Sequence, residues 1–300
     1  MQIHIVGGGL AGTEAAWQAL RAGFSVVLHE MRPAKMTAAH KTGDLAELVC
    51  SNSLKSTSSN SAPGLLKAEM KALDSIVLKA AEAAQVPAGQ ALAVDRRVFS
   101  DAITAALESH PQFQRIDEEV VRIPDSDTIR RRGEAWIVAT GPLTSHAMAE
   151  ELLRLSGSAG QLYFYDAIAP VIAADSIDLS KAFRQSRYES SEEAGDYLNL
   201  PLNKEQYDAF IDAVKTAEYM PLHGFEDAKY FESCLPIEVM VERGHETLRF
   251  GPMKPVGLID PSTGRRPWAN VQLRLENKEA TMYSMVGFQT KMKWPEQKRI

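Results

Sequence analysis

Two cysteines are the side chains of this chain best suited to covalent chemistry. Cys50 and Cys234 are its only cysteines, and they do not have the close CxxC spacing of a metal site. In a reducing compartment each is either a small buried hydrophobe or a nucleophilic thiol. Cys50 opens a segment of hydroxyl and amide side chains, CSNSLKSTSSNS. Pro236 disfavours helix at Leu235, so Cys234 is expected on a loop or a strand end. The local sequence leaves both interpretations of each thiol open.

The first thirty residues have the pattern of a dinucleotide-binding turn. A short apolar strand ends at Gly7, apolar residues from Leu10 to Leu20 have helical spacing, and a second strand ends at Glu30. A G-x-G-x-x-G motif lies between the first strand and the helix, which is the context that this motif requires. The pattern predicts a cofactor-binding turn formed by Gly7, Gly8, Gly9, Leu10, Ala11 and Gly12.

The three motif glycines and the acid each have a physical reason. Gly7 permits a tight turn, Gly9 lets the backbone approach a pyrophosphate, and Gly12 lets the helix lie close to the sheet. The helix N-terminus offers N–H groups and a positive dipole end to phosphates. Glu30 lies eighteen residues after Gly12, where it can accept hydrogen bonds from a ribose and disfavours a 2′-phosphate. FAD or NAD is therefore expected rather than NADP as the bound dinucleotide.

A second stretch favours FAD over NAD. Residues 135–142 read AWIVATGP, which predicts a strand that runs into a Thr-Gly-Pro turn. It resembles the ATG signature of two-dinucleotide-type flavoproteins, in which this strand lies beside the FAD. The predicted fold class is α/β, a two-dinucleotide-type FAD-binding doubly wound sheet with an inserted α/β domain.

Composition limits the remaining classes. The chain has 300 residues, 45% of them hydrophobic, and a net charge of −6, which argues against a protein that coats nucleic acid indiscriminately. No apolar run reaches the roughly 18 residues of a membrane span, the N-terminus enters a strand without a leader, and no metal-site spacing occurs. A cytoplasmic protein without a metal or a membrane partner is expected.

The charge is uneven along the chain. Residues 249–300 hold ten Lys/Arg against four Asp/Glu, which leaves −12 for the first 248 residues. The basic stretch is either a local anion-binding surface or a solvated face. Lys254 and Arg274 within it are candidates for contact with a flavin phosphate, a folate glutamate or RNA, and a surface role is an equal alternative for each.

Several blocks together resemble one family. They are IVGGGLAGTEAAW, DLAELVCSNSLKS, VDRRVFSDAIT, IVATGPLTS, FESCLPIEVMVERG, FGPMKPVGL and MVGFQT. These blocks closely resemble the bacterial folate- and FAD-dependent tRNA (uracil-5-)-methyltransferases, within the wider glucose-inhibited-division flavoprotein group. The resemblance runs over the whole chain.

The resemblance implies a reaction and its residues. Gly7, Gly9, Gly12 and Glu30 would bind FAD. Cys234 would be the nucleophile that adds to C6 of a uracil in the tRNA T-loop, and Cys50, beside the isoalloxazine, the general base at C5. Methylenetetrahydrofolate would donate the one-carbon unit, and NADH or NADPH would recharge the flavin. The partners implied are tRNA and folate; the oligomeric state is not specified.

The resemblance also implies a domain plan. Residues 1–165 would form the FAD-binding domain and residues 166–300 an inserted substrate and tRNA domain. Because the family continues past Ile300, the last section of the FAD domain would be missing. Two alternatives remain open: an FAD-dependent oxidoreductase of this fold without tRNA chemistry, and a non-catalytic truncated paralogue.

Overall fold

Two compact units make up the part of the chain that the structure describes. The computed structural model describes residues 1–37, 39–157, 169–187, 195–220 and 235–300. Unit 1 comprises residues 1–49 and 57–84 and the described part of 96–164. Unit 2 comprises residues 50–56 and 85–95 and the described part of 165–300. Two short segments from within the first predicted domain therefore group with unit 2, and the domain plan stays a prediction.

Both units contain strands and helices. In chain order the strands are β1 (Gln2–Val6), β2 (Ser25–His29), β3 (Ser53–Ser56), β4 (Gln85–Val86), β5 (Ala91–Val94), β6 (Phe113–Ile116), β7 (Glu134–Val138), β8 (Val171–Ala173), β9 (Phe183–Arg184), β10 (Leu198–Leu202), β11 (Ala269–Leu275) and β12 (Met282–Met285). The helices are α1 (Leu10–Arg21), α2 (Ala62–Ala72), α3 (Ile76–Ala83), α4 (Arg96–Glu108), α5 (Ser126–Arg132), α6 (His146–Ser156), α7 (Lys204–Lys215), α8 (Ile237–Arg243), α9 (Thr247–Phe250) and α10 (Trp294–Arg299).

The sheet of unit 1 is wholly parallel. Its strand order is β6–β2–β1–β7, which in chain order is third, second, first, fourth. The order therefore reverses between β1 and β7. Ligands of open parallel sheets bind at such a reversal, beyond the carboxyl ends of the strands. The α/β class with a doubly wound parallel sheet, predicted from the sequence, is confirmed.

Apolar side chains cover this sheet on both sides. Helix α1 packs on β1 and β2, with Ile5 of β1 fully buried. Val6, which points to the opposite side from Ile5 by strand alternation, joins a buried cluster with Ile123 and with Met148 of α6. Burial on both sides is what makes the strands read as short apolar runs in the sequence. The carboxyl edge of the sheet is consequently held in place by layers on each side.

Unit 2 is built on antiparallel sheets. Strands β8–β12–β11–β10–β9 form one sheet and β3–β5–β4 another. The core packs α7, α8 and α9 against the larger sheet through side chains that include Tyr207, Ile237, Leu248 and Leu273. Within the described residues, no helix is long and apolar enough to cross a membrane.

Candidate functional site

The glycine-rich turn lies at the point where the strand order of unit 1 reverses. Gly7 follows β1 with φ of 102°, a conformation that favours glycine. The Ala139 N–H donates to the Val6 carbonyl at 2.8 Å. A Cβ on Gly7 would lie 2.6 Å from the Ala139 carbonyl oxygen. The two motifs recognised separately in the sequence, GGGLAG and ATG, are thus in contact at the same edge of the sheet.

The start of α1 can hold an anion. Its N-cap residue is Gly9, and no side chain caps this end of the helix, so the N–H groups of the first turn, at Leu10 and Ala11, remain available. A Cβ on Gly9 would meet no heavy atom within 4 Å, whereas a Cβ on Gly12 would lie 1.8 Å from the Gly7 carbonyl oxygen. The turn therefore combines open space at the helix N-terminus with close helix–strand packing, and these features fit a diphosphate.

Both backbone polar groups of Gly8 form hydrogen bonds within the protein. Its N–H donates to Glu30 Oε2 at 2.7 Å, and its carbonyl accepts from the Ala46 N–H at 2.8 Å. A side chain on Gly8 would collide with Leu45, whose Cδ2 lies 2.6 Å from the ideal Cβ position. Gly8 thus links the turn to the acid at the end of β2, and its predicted cofactor contact stays a prediction.

Glu30 is buried against Arg32, a partner that the sequence analysis missed. Glu30 is 4% exposed and Arg32 is 2% exposed. Glu30 Oε1 accepts from the Arg32 backbone N–H at 3.0 Å and from Nε at 2.9 Å; Oε2 accepts from Nη2 at 3.1 Å and from Gly8. A carboxylate has about four acceptor positions, so a ribose hydroxyl must share or replace one of these donors.

The charge state of Glu30 follows from these contacts. Burial acts to raise the pKa of Glu30, but the hydrogen bonds and charge of Arg32 and the Gly8 N–H outweigh burial. The pKa of Glu30 therefore lies below its ordinary value, and the side chain is an anion at neutral pH. The sequence did contain a sign of this pair, because Arg32 lies two residues after Glu30. Glu30 was considered only as a ribose ligand, so Arg32 was not considered as its partner.

Arg32 also ties the segment after β2 to the site. Its Nη1 donates to Glu47 Oε2 at 2.9 Å and to the Thr42 carbonyl at 3.3 Å. Glu47 in turn accepts from the Lys41 N–H at 2.8 Å. The described residues between 31 and 50 form neither helix nor strand, so these charged contacts give the segment a defined position beside Glu30.

In unit 2, Cys50 opens the polar segment that leads into β3. Cys50 is exposed, whereas its neighbour Asn52 is fully buried. Asn52 Nδ2 donates to the carbonyls at the ends of β5 and β11, at 3.0 and 2.8 Å. Arg274 donates from Nε to Asn52 Oδ1 at 2.9 Å and from Nη2 to Ser51 Oγ at 3.0 Å. We call Ser51, Asn52 and Arg274 the polar clamp.

The polar clamp settles one open alternative. Arg274 is 7% exposed, so a surface role for it is wrong, because β11 is the central strand of its sheet and every residue of it is buried.

Lys254 is partly exposed and lines a cleft of unit 2. Cys234 lies outside the described residues. No group of three or more potential metal-ligating side chains occurs in the ranges that the structure describes.

The reversed parallel sheet, the uncapped glycine turn and the acid at the end of β2 define a dinucleotide-binding protein of the doubly wound class. The family model described as "Glucose inhibited division protein A" matches residues 2–300. The chain belongs to this family.

Curated relatives match over almost the whole chain. A protein from Moorella thermoacetica is 56% identical over 299 residues, one from Citrifermentans bemidjiense 55% over 299 residues, and one from Geobacter sulfurreducens 53% over 298 residues. All three are named methylenetetrahydrofolate–tRNA-(uracil-5-)-methyltransferase TrmFO. The matches cover 99–100% of this chain and 66% of each relative, so the chain spans just under two thirds of their length.

A solved structure supports the fold. GidA from Aquifex aeolicus, in its form II crystal, aligns with a TM-score of 0.66 over 99% of this chain and 51% of its own, at 14% sequence identity. At this identity the comparison bears on the fold alone, and it agrees with the α/β class described above.

Proposed function

We propose that this protein methylates C5 of a uridine in the T-loop of tRNA, with methylenetetrahydrofolate as one-carbon donor and reduced FAD as reductant. The observation that carries the proposal is the 53–56% identity, over essentially the whole chain, to relatives named for this reaction. The geometry of the glycine turn supports the dinucleotide part of it. We further propose NADH or NADPH as the source of electrons and the cytoplasm as the location.

The turn of unit 1 supplies the residues for FAD. The N–H groups of Leu10 and Ala11 would bind the diphosphate in the open space beside Gly9. Gly7 and Gly12 keep this space open by allowing the close packing beneath it, and Glu30 would meet the ribose. When bound, reduced FAD supplies the electrons that convert the transferred methylene into a methyl group.

The two cysteines divide the carbon chemistry. Cys234, as a thiolate, would add to C6 of the uracil and so make C5 nucleophilic enough to bond the one-carbon unit. Cys50 would then remove the proton from C5 as tetrahydrofolate leaves the transferred carbon. Once that carbon has received the two electrons and the hydrogen that reduced FAD would supply, the bond from Cys234 to C6 would break, the thiolate would leave, and the C5–C6 double bond would reform. Cys50 is exposed, as a base must be if it is to reach a target that has left its stack. The polar clamp beside Cys50 holds the following residues by hydrogen bonds. Both observations support this role.

Covalent trapping tests this division. With a T-arm RNA that carries 5-fluorouridine, the base cannot remove fluorine from C5, so the adduct persists. Cys50→Ala is expected to retain the protein–RNA adduct on a denaturing gel, and Cys234→Ala to lose it. An adduct in Cys234→Ala would remove Cys234 as the nucleophile.

Methyl transfer tests the whole proposal. The unmodified chain, loaded with FAD and supplied with NADH or NADPH and labelled methylenetetrahydrofolate, is expected to place label in the T-arm RNA. An FAD-loaded chain that gives neither an adduct nor label transfer would contradict the proposed activity.

A further inference from the structure

A cleft in unit 2 concentrates positive charge beside aromatic rings. Its volume is about 900 Å³, and it is lined by the first turn of α7, the end of α9 and the loop that precedes β11. We call it the basic cleft, defined by Lys204, Arg249, Lys254, Arg265, Arg266 and Trp268. Among the described residues of its lining, Asp260 is the one acid, so this part of the wall has an excess of cations.

The cations of the cleft best placed to bind a ligand are two arginines on the loop that precedes β11. Lys204 and Arg249 already pair with Asp208 and Glu246, at 2.6 and 2.9 Å. Arg265 and Arg266 are exposed, and the structure shows no ion-pair partner for either guanidinium among the residues it describes. The acid of the lining is buried and already hydrogen-bonded: Asp260 Oδ1 accepts from the N–H and Oγ of Ser262, at 2.9 and 2.7 Å.

Two aromatic rings, those of Trp268 and Phe250, lie close to these cations. The Arg249 guanidinium lies 4.0 Å from the centroid of the Trp268 ring, and Lys204 Nζ lies 5.9 Å from it. Phe250, at the cleft, is 77% exposed, and Arg249 is 5.6 Å from its ring. Phe250 therefore presents an exposed ring beside a guanidinium, an arrangement on which a planar base can stack.

The walls of the cleft are fixed by backbone contacts. The Trp268 N–H donates to the Leu202 carbonyl at 3.0 Å, Arg187 donates to the Lys254 carbonyl at 2.6 Å, and the Gly264 N–H donates to the Asp260 carbonyl at 2.8 Å. The charged and aromatic side chains are therefore presented by a preorganised frame, which lowers the ordering cost of binding.

We infer that the basic cleft binds an RNA strand, with Arg265 and Arg266 on phosphates and a base stacked on Phe250. Cationic grooves with stacking aromatics are how proteins hold unpaired nucleic acid without reading its sequence. A polyglutamate chain would form ion pairs with the arginines, but it has no ring that could stack on Phe250. The acidic remainder of the chain would repel RNA elsewhere and so favour this face. The choice of RNA rests on the proposed function.

Salt-dependent binding of a fluorescent T-arm RNA hairpin tests the inference. In the full chain, without folate, Arg265→Gln/Arg266→Gln is expected to reduce the slope of log K against log salt by about 1.4 to 1.8. Raising salt from 50 to 200 mM would then weaken the unmodified chain about 7- to 12-fold more than the variant. The control Arg130→Gln/Arg131→Gln removes two exposed arginines from α5 and should leave the slope unchanged.

A second variant separates stacking from charge. Phe250→Ala is expected to weaken binding roughly 5- to 150-fold without changing the salt slope. The inference is overturned if the arginine variant keeps the original slope, if the control loses as much, or if a pentaglutamate peptide displaces the RNA at equal charge concentration. RNA binding through the cleft without methyl transfer would contradict the proposed function alone, whereas full methyl transfer with an unchanged slope in the arginine variant would contradict the cleft alone.

Discussion

Replacing Arg32 with methionine removes the cation that neutralises two buried or nearly buried carboxylates. The guanidinium donates twice to Glu30 and once to Glu47, over 2.9–3.1 Å. Breaking a buried ion pair by removing one partner costs about 3–5 kcal/mol, because the other charge stays buried and uncompensated. Glu30 would keep only the N–H groups of Gly8 and of residue 32 itself. We expect Arg32→Met to lower the free energy of unfolding of unit 1 by about 3 kcal/mol or more at pH 7.

The pH dependence gives this prediction its sign. In the unmodified protein the pKa of Glu30 is lowered, so its stabilising contribution is present above the unfolded pKa and is lost as pH falls through the folded pKa. Without Arg32 the burial that raises the pKa is no longer outweighed. The folded pKa would then exceed the unfolded one, and stability would fall as pH rises between them. The destabilisation should therefore be smaller at pH 4.5 than at pH 7.

Urea unfolding monitored by amide hydrogen exchange in β1 and β2 measures this change within unit 1. The double variant Arg32→Met/Glu30→Gln is the matched control, because it removes the cation and the buried anion together. We expect it to be more stable than Arg32→Met alone. A loss below about 1 kcal/mol, or a loss equal at both pH values, would show that the pair is solvated and would refute the reasoning.

Two further predictions concern the glycine turn and the buried carboxylate of Glu151, both in unit 1. Gly12→Ala places a Cβ 1.8 Å from the Gly7 carbonyl oxygen and should lower both stability and FAD retention. The Cβ of Gly9→Ala meets no neighbour, so this variant should lower FAD retention with a stability change within about 1 kcal/mol. Equal unfolding midpoints for the two variants would contradict this. Arg154 holds the pKa of Glu151 at about 2, so its contribution is present above about pH 4.5 and lost as pH falls towards 2. Glu151→Gln should therefore flatten the fall of the urea midpoint between pH 4.5 and pH 2.5, and an unchanged fall would count against this pairing.

Local patterns predicted the elements of the dinucleotide turn. The first strand, the helix from Leu10 and the strand that ends near Glu30 follow from apolar spacing and from glycine at the breaks. The contact between Gly7 and Ala139 follows less directly, since it depends on the crossing order of the strands. From the sequence, both motifs were associated with FAD, but a contact between them was not predicted.

Long-range polar contacts could not be predicted in the same way. Nothing in the hydroxyl-rich segment around Asn52 announces that its amide is buried, and Arg274 lies in a basic stretch that suggested solvent or a ligand. Their hydrogen bond links positions 222 residues apart in sequence, beyond the reach of any periodicity. Arg32 was missed for a different reason: the acid before it was read as a ligand for ribose, without asking which cation stabilises it while buried.

The hydrogen bond between Asn52 and the Leu275 carbonyl spans 223 residues, and this separation sets an order of events during synthesis. At a translation rate of about 5–20 residues per second, β11 emerges roughly 11 to 45 s after Asn52. Throughout this interval the nascent segment around Asn52 lacks its hydrogen bonds to Arg274 and to the Leu275 carbonyl, whereas the Val94 carbonyl emerges early in the interval. The polar clamp next to Cys50 is therefore completed only once β11 has left the ribosome, although β3 and β5 can pair well before then.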